Sequence, residues 1–412
     1  MSMSKMFIQP RLLAMFILGF ASGLPLALTN STLQAWFTQA HISIVTIGAL
    51  SLLGIPYTLK FLWAPLMDHY GIPKLGKRRG WILLAQLGVV ITLVFLANMD
   101  PVSQASQMGI VALFVAFFSA SQDISITAYQ TDILAPEERG LGSAYYVFAW
   151  RIAALISGGL ALVCADHIGW KITYEIMALL MVLSMVLTYK SPQPMEYSHT
   201  TKNVMQTMVA SLGDLIQREK IILVLLFIVF YKFGDALALQ LITNFLLHGL
   251  GFTLTEVGLV SKTVSVVATI VGVFVGGVIL TRWNIYRALI IFGLAQAFSN
   301  LMFVLLAMSG KQFLLMALSL FIENFCTGLS TAALLAFMMS LCDHRYTASQ
   351  FALLSAVASL GRVFLGPVAA LMVENIGWVQ FYISSFILSF PGIIILLLLK
   401  DKVIQHVPAT AD

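Results

Sequence analysis

The stretch Phe61–Trp81 reads FLWAPLMDHYGIPKLGKRRGW. An apolar helix ends at Asp68, a loop carries Lys74, Lys77, Arg78 and Arg79, and a second apolar run starts at Trp81. Two apolar runs joined by a short basic loop predict two membrane spans whose connection faces the cytoplasm, because Lys and Arg stay on that side. The segment also suggests a joint. Asp68 could pair with a basic loop residue or cap a neighbouring helix N-terminus. Asp68, Lys77, Arg78 and Arg79 are therefore the expected gating residues.

The rest of the chain agrees with a membrane reading. Its 412 residues are 59% hydrophobic and only 10% charged, against about 25% charged in soluble domains. The mean hydropathy is +0.93. Such a chain is a polytopic membrane protein rather than a globular enzyme with an anchor. The net charge of +5 sits in short loops between apolar runs, so it reads as a topology signal and not as a nucleic-acid footprint. Cys164, Cys326 and Cys342 lie in or beside apolar runs; an odd, scattered set predicts packing residues, with no disulfide framework and no metal spacing. The seven histidines fall in loops, linker and tail with no HExxH pattern, which argues against an enzyme. The apolar run after Lys5 and Arg11 is too long for a signal peptide and reads as a first span.

A span needs about 20 mostly apolar residues. Twelve are predicted, at approximately 12–36, 43–67, 81–98, 108–133, 140–164, 171–189, 221–247, 254–280, 286–308, 313–341, 347–372 and 377–399. With both ends on one side, the termini and inner loops hold 16 Lys and Arg, and the outer loops hold only Lys171 and Lys311. Both termini are expected in the cytoplasm. The polar stretch 190–220 separates six spans from six, with a surface helix expected near Val204–Gln217. The expected organisation is a first bundle over 1–189, a cytoplasmic linker over 190–220, a second bundle over 221–399 and a tail over 400–412. The halves also echo each other: the spacing from Gly158 to Trp170 equals that from Gly366 to Trp378. The predicted fold is an all-α integral membrane protein of twelve helices in two six-helix bundles, the parallel repeat of the major facilitator fold.

Charges inside the membrane are costly, about 2.5–3.5 kcal/mol each on insertion scales, and by default mark function. Asp123 lies well inside the fourth span, on a stripe with positions 119, 127 and 130 that recurs at near-helical spacing. Gln122 and Thr127 flank it, and Arg151 of the fifth span is its expected ion partner. Asp132, near the cytoplasmic end, is expected to meet the basic loop. Lys60 either snorkels to the cytoplasm or enters the interior. Lys232 and Asp235, three apart, can pair along one helix, and their polar face continues through Gln240 and Asn244. Glu323 is mid-span in the tenth, with Lys262 and Arg362 as candidate counter-ions. In the first span Gly19 and Gly23 permit close helix approach. Thr29, Asn30, Ser31, Thr32 and Gln34 follow Pro25; this uncharged polar cluster suits a sugar or peptide.

The runs GFASGLPLAL…STLQAW (Gly19–Trp36), YTLKFLWAPLMD (Tyr57–Asp68), GKRRGW (Gly76–Trp81), SASQDI (Ser119–Ile124), PEERG (Pro136–Gly140) and SGGLAL (Ser157–Leu162) resemble the AmpG family of inner-membrane muropeptide permeases. The resemblance is dense over about the first 170 residues. It implies proton-driven import of anhydro-muropeptides from periplasm to cytoplasm, and hence a role in peptidoglycan recycling. Thr127 and Gln130 stand where the family pattern carries an acid and a base. That departure leaves Asp123 to act alone or with Glu323. The implied partners are a small sugar-peptide substrate and the bilayer, with no nucleic acid. A monomer is expected, with no cofactor beyond the proton gradient. The alternative on the same fold is import of a ferric siderophore, implied by shorter relatives. A membrane enzyme would need a nucleophile–base or metal constellation that the sequence does not show.

Overall fold

The computed structural model describes residues 9–72, 75–134, 139–193, 220–341 and 347–400. The side chains of a few positions inside these ranges, among them Asp68, Lys77 and Lys262, fall outside that description, as do the expected surface helix near Val204–Gln217 and Cys342.

Eleven helical stretches among the described residues are long and apolar enough to cross a bilayer. They are α1 (Pro10–Gln39), α2 (Ile44–Leu62), α3 (Arg78–Ala97), α4 (Pro101–Gln130), α5 (Tyr145–Ile168), α6 (Trp170–Lys190), α7 (Ile221–Gly249), α8 (Leu254–Leu280), α9 (Ile285–Ser309), α10 (Phe313–Ser340), and a last stretch, Leu353–Leu398. That last stretch has 46 residues. At 1.5 Å per residue it would run about 69 Å, twice what a hydrocarbon core of about 30 Å needs. Gly377 breaks it with φ +75°, a left-handed backbone that favours glycine. The two pieces, α11 (353–376) and α12 (378–398), complete twelve spans.

The helices are not uniform. Asn30, with φ −110° and ψ −97°, interrupts α1, and α2 changes to tighter 3₁₀ turns at Leu50–Gly54 and Lys60–Leu62. Wide π turns occur at Ile156–Leu160, Phe245–Gly249 and Val257–Ser261. Such irregularities concentrate in polar or Gly-rich sequence, where side chains and neighbouring helices take up freed backbone groups.

The chain falls into two compact units. The first draws on Met1–Thr46, Leu52–Thr201 and Thr253–Leu259, and the second on Ile47–Ser51, Lys202–Phe252 and Val260–Asp412, as far as these are described. In the first, α1 packs on α5, and α3 on α4 and α6. Gly19 lies against the Tyr146 backbone and Gly23 against that of Trp150, the close approach the sequence predicts. In the second, α8 packs on α10 and α9 on α10. There Gly272 lies on the Phe325 backbone, and a Cβ at Gly328 would come 2.5 Å from the Thr269 carbonyl. Between helices that both prefer lipid, small residues let the backbones pack closely enough for van der Waals contact to hold them. Outward-facing side chains such as Phe95, Leu179 and Phe274 are exposed and apolar, as a lipid-facing surface requires.

The repeat is visible in conformation as well as in spacing. Gly169 and Gly377 both have positive φ and both precede a Trp. Trp170 stacks on Trp36, their planes 7° apart, and Trp36 also meets Tyr174. In the second unit Trp378 and Tyr382 both pack on Phe245. One shift of 208 positions carries Trp170 to Trp378, Tyr174 to Tyr382 and Phe37, beside Trp36, to Phe245.

Candidate functional site

Each unit buries one polar cluster, and the two differ in kind. In the first, Asp123 of α4 is held by hydroxyl groups. Ser22 Oγ of α1 donates to Asp123 Oδ1 at 2.6 Å, and Tyr146 Oη of α5 donates to Ser22 Oγ at 2.9 Å. Ser22 is buried. Its single hydroxyl hydrogen goes to the carboxylate, which leaves its oxygen free to accept from Tyr146.

The expected Asp123–Arg151 ion pair is absent among the described residues. Arg151 lies over the Trp150 ring, 5.4 Å from its centroid. Helix geometry gives the reason. Tyr146 is the α5 residue turned to Ser22, and five residues further along an α-helix is a rotation of about 140°. Arg151 therefore points off that face. The cation whose field reaches Asp123 is Lys60 of α2, which is half-buried.

The stripe along α4 has partners close by. Thr127 Oγ1 donates back to the Asp123 carbonyl at 2.8 Å, and Gln130 Nε2 donates to Ser143 Oγ at 2.9 Å. Gln122 is fully buried with both amide ends unpartnered. In α1, Asn30 sits exposed at the helix break and Gln34 is buried. Thr32 Oγ1 donates to the Ser157 carbonyl at 2.6 Å, in the π turn of α5. That bond is helix–helix structure, the plainer use of this polar cluster.

Lys77, Arg78 and Arg79, expected in a loop, form the first turn of a helix that starts at Lys77, and this basic turn closes onto its own unit. Arg78 Nε bonds Asp132 Oδ2 at 2.9 Å, as the interfacial reading of Asp132 anticipates. Arg79 Nη1 donates to the Ser191 carbonyl at 3.0 Å and its guanidinium lies over Tyr189. Tyr129 Oη donates to the Pro192 carbonyl at 2.5 Å, so the start of α3 and α4 together hold the end of α6. Asp68 and Lys77, the other gating residues, lie outside the described side chains.

The second unit carries a denser cluster on α7, α9 and α10. Lys232 Nζ lies 3.4 Å from Asp235 Oδ2, the expected i,i+3 pair, and donates to Ser330 Oγ at 2.6 Å and the Thr327 carbonyl at 3.2 Å. Ser330 Oγ in turn donates to Gln296 Oε1 at 3.0 Å. With its oxygen thus fixed, Gln296 presents its amide hydrogens to two carboxylates: Asp235 Oδ1 at 3.0 Å and Glu323 Oε1 at 3.2 Å. Thr327 Oγ1 lies within reach of the same two oxygens, at 3.2 and 2.9 Å. It has one hydrogen and can serve only one of them at a time. Glu323 is completely buried and Asp235 nearly so.

The sequence points to Lys232, Asp235 and Glu323 but not to what joins them. Gln296, Thr327 and Ser330 are the connectors. Their one sequence signal is the polar set Gln296, Ser299 and Asn300, spaced i, i+3, i+4 on a single face of α9. Gln240 Nε2 donates to the Arg362 carbonyl of α11 at 2.6 Å. Arg362 acts on Asp235 and Lys232 through its field, and the Lys262 side chain lies outside the description. Among the described residues, Lys232 is the cation in contact with this pair, through Asp235. No set of three or more His, Cys, Asp or Glu among the described residues could hold a metal ion.

The profile described as the Major Facilitator Superfamily matches residues 15–361 and 233–411. The chain belongs to that superfamily. It is also 45% identical over 398 residues to the anhydromuropeptide permease of Escherichia coli (strain K12), an alignment covering 96% of this chain and 81% of the permease. A putative transporter AmpG 4 of Rickettsia conorii (strain ATCC VR-613 / Malish 7) is 30% identical over 413 residues, covering 98% of this chain and all of the relative. The chain is thus an AmpG-like facilitator, a multi-pass membrane transporter rather than an enzyme. Solved facilitators share the fold at low identity. A bacterial homologue of the human lysosomal transporter Spinster superposes with TM-score 0.76 at 14% identity, covering 97% of this chain and 98% of its own. A D-xylose–proton symporter superposes with TM-score 0.73 at 14% identity, covering 98% of each chain.

Proposed function

We propose that this AmpG-like facilitator imports anhydro-muropeptides across the bacterial inner membrane, driven by protons. The observation that carries the cargo is the 45% identity to an anhydromuropeptide permease across 96% of the chain. The observation that carries the coupling is the buried cluster of two carboxylates and one ammonium, Asp235, Glu323 and Lys232. Two carboxylates sharing donors in a dry interior resist being ionised together. Among the described residues Lys232 is the ammonium in contact with the pair, through Asp235, and Glu323 is the carboxyl left without a cation in contact, the place where a proton is best held. Glu323 is the proton-carrying group in this reading, and Asp235 stays paired with Lys232. Asp123, Arg151, Gln122, Thr127, Asn30, Gln34 and Gln240 remain candidates for contact with cargo, and Asp68, Lys77, Arg78 and Arg79 for gating. Transport proceeds by alternating access of the two facilitator halves, with both termini in the cytoplasm and one chain as the working unit.

The test is uptake into proteoliposomes under an imposed proton gradient, with a GlcNAc–anhydroMurNAc-peptide and a ferric siderophore offered side by side. Gradient-dependent accumulation of the muropeptide alone is the expected result. Uptake of the siderophore alone would replace the cargo assignment. Muropeptide uptake indifferent to the gradient would remove the proton.

A further inference from the structure

Nearly every donor hydrogen in the second unit's cluster has a fixed place. Lys232 directs its ammonium to Asp235 Oδ2, Ser330 Oγ and the Thr327 carbonyl. Ser330 Oγ lies 3.0 Å from Gln296 Oε1 and 3.2 Å from the Thr327 carbonyl. That carbonyl already accepts from Lys232, so the serine hydrogen is the one that satisfies the buried glutamine oxygen. The two Gln296 amide hydrogens go to Asp235 Oδ1 and Glu323 Oε1, at 3.0 and 3.2 Å, in preference to Ser299 Oγ at 3.5 Å. Thr327 is the exception. Its one hydrogen has two carboxyl oxygens within reach, Glu323 Oε1 at 2.9 Å and Asp235 Oδ1 at 3.2 Å.

The two choices differ in what they join. Glu323 and Thr327 are four apart on α10, so a bond between them stays inside one helix. Asp235 belongs to α7, so a bond from Thr327 to Asp235 ties two helices together. Charge decides between them, because a hydrogen bond to an ionised acceptor is about twice as strong as one to a neutral acceptor. With both carboxyl groups ionised, the nearer oxygen on Glu323 takes the hydrogen. With a proton on Glu323, Asp235 is the acceptor that stays ionised, held by Lys232. The two carboxyl groups also hydrogen-bond each other. An ionised carboxylate only accepts, so that bond needs a proton on one of them. Asp235 then accepts from Lys232, Gln296, Thr327 and Glu323, which fills the roughly four lone-pair sites of a carboxylate.

We propose that Thr327 is a positioning residue for proton coupling: its hydroxyl turns from Glu323 to Asp235 when Glu323 is protonated, and so converts a bound proton into a contact between α10 and α7. The step moves one proton. It passes from hydronium to a Glu323 carboxylate oxygen as the new O–H bond forms and water is left behind. The Thr327 hydrogen stays on its own oxygen and only rotates about the Cβ–Oγ bond. Loss of the proton reverses both movements. A ligand shifts a conformational equilibrium only through contacts that differ between its states, and this rotation supplies such a difference for the proton. The titratable and charged groups around the pair are Lys232 on α7, Cys326 on α10, Arg362 on α11 and Tyr382 on α12. From α9 the pair meets the neutral Gln296, and α8, which also packs on α10, carries Lys262 outside the described side chains. The proposal rests on the reading of Glu323 as the proton-carrying group.

Two measurements test the proposal. Infrared difference spectra of the full chain between low and high pH read the rotation. The carbonyl band of protonated Glu323 is the one that disappears in Glu323→Gln. Thr327→Val and Thr327→Ala both remove the hydroxyl. They are expected to leave that carbonyl band in place, because the hydroxyl has already turned away, and to shift the carboxylate band of the ionised form. A shifted carbonyl band overturns the rotation. No band lost in Glu323→Gln overturns the proton-carrying reading itself. In proteoliposomes, Thr327→Val is expected to lower gradient-driven muropeptide uptake about tenfold, the scale of one hydrogen bond to a charged group. Counterflow, measured at equal pH on both sides, should fall by clearly less, and Thr327→Ser, which keeps the hydroxyl, should restore gradient-driven uptake. An equal loss in both modes overturns the positioning role, and so does gradient-driven uptake at the original rate. If the unsubstituted chain moves no muropeptide in either mode, the cargo assignment fails, while the infrared bands still decide the rotation.

Discussion

The two units solve the same problem differently. Each buries a carboxylate in a bilayer where charge is expensive. The first surrounds Asp123 with hydroxyls, Ser22 and behind it Tyr146, and a single Lys60 within reach of its field. The second places two carboxylates against one ammonium and ties them with Gln296, Thr327 and Ser330. A lone carboxylate with matched donors is a stable arrangement. Two carboxylates that share donors, one of them paired with Lys232, resist being ionised together, and one proton can relieve that. In the proposed reading, this difference gives coupling to the second unit and leaves the first an anchoring site with contacts to offer a cargo.

The substitution that would most strain this contrast is Glu323→Gln. It keeps the shape and removes the carboxyl. Gradient-driven uptake is expected to fall at least about a hundredfold, the scale of a lost acid–base group, while counterflow persists. Next comes Lys232→Met. Stripping the cation from a buried pair costs about 3–5 kcal/mol, and thermal melting in detergent should show it. Adding Asp235→Asn should recover part of that loss, because the uncompensated charge goes with it. Ser22→Ala acts on the quieter site. It removes one charged hydrogen bond, worth about 1.5–3 kcal/mol, so melting should drop measurably less than for Lys232→Met. A larger drop for Ser22→Ala would invert the comparison.

The smallest effect belongs to Asp100, outside both clusters at the start of α4. Its carboxylate accepts from Ser103 Oγ and from the backbone N–H groups of Ser103 and Val102. The Ser103 hydroxyl first, then the backbone donors, hold its carboxyl below the usual carboxylate range. A depressed value means that the cap is present at neutral pH and is lost only as pH falls through that lowered value. Asp100→Ala should leave uptake at pH 7 unchanged, measured in the same vesicles.

Most of the architecture was legible in the chain because the bilayer imposes coarse rules. Length and apolarity mark the spans, and Gly377 marks the boundary between the last two. Gly19 and Gly23 announce a close helix contact that the fold makes. Lys232 with Asp235, and Arg78 with Asp132, were readable because helix spacing or membrane depth confines each pair. The site was less legible, since rotation about a helix axis decides which side chains meet. Arg151 and Asp123 lie in adjacent spans, yet the face that gives Tyr146 to Ser22 turns Arg151 toward Trp150. Gln296 is a single uncharged residue in an apolar helix, and its importance comes from two partners on other helices. No local pattern encodes that meeting. The basic residues that first marked the topology lie in the first helical turn, Lys77–Trp81, rather than in a loop, and bind more narrowly than their charge suggests: Arg78 and Arg79 hold the ends of α4 and α6 within the first unit.

The most direct test is proton movement itself. Substrate is added to de-energised vesicles holding the unsubstituted chain, Asp123→Asn or Glu323→Gln, and the lumenal pH is followed alongside uptake. Muropeptide entry should carry protons with it in the unsubstituted chain and in Asp123→Asn, and should carry none in Glu323→Gln. Proton entry that survives in Glu323→Gln and disappears in Asp123→Asn would place coupling in the first unit and contradict the account.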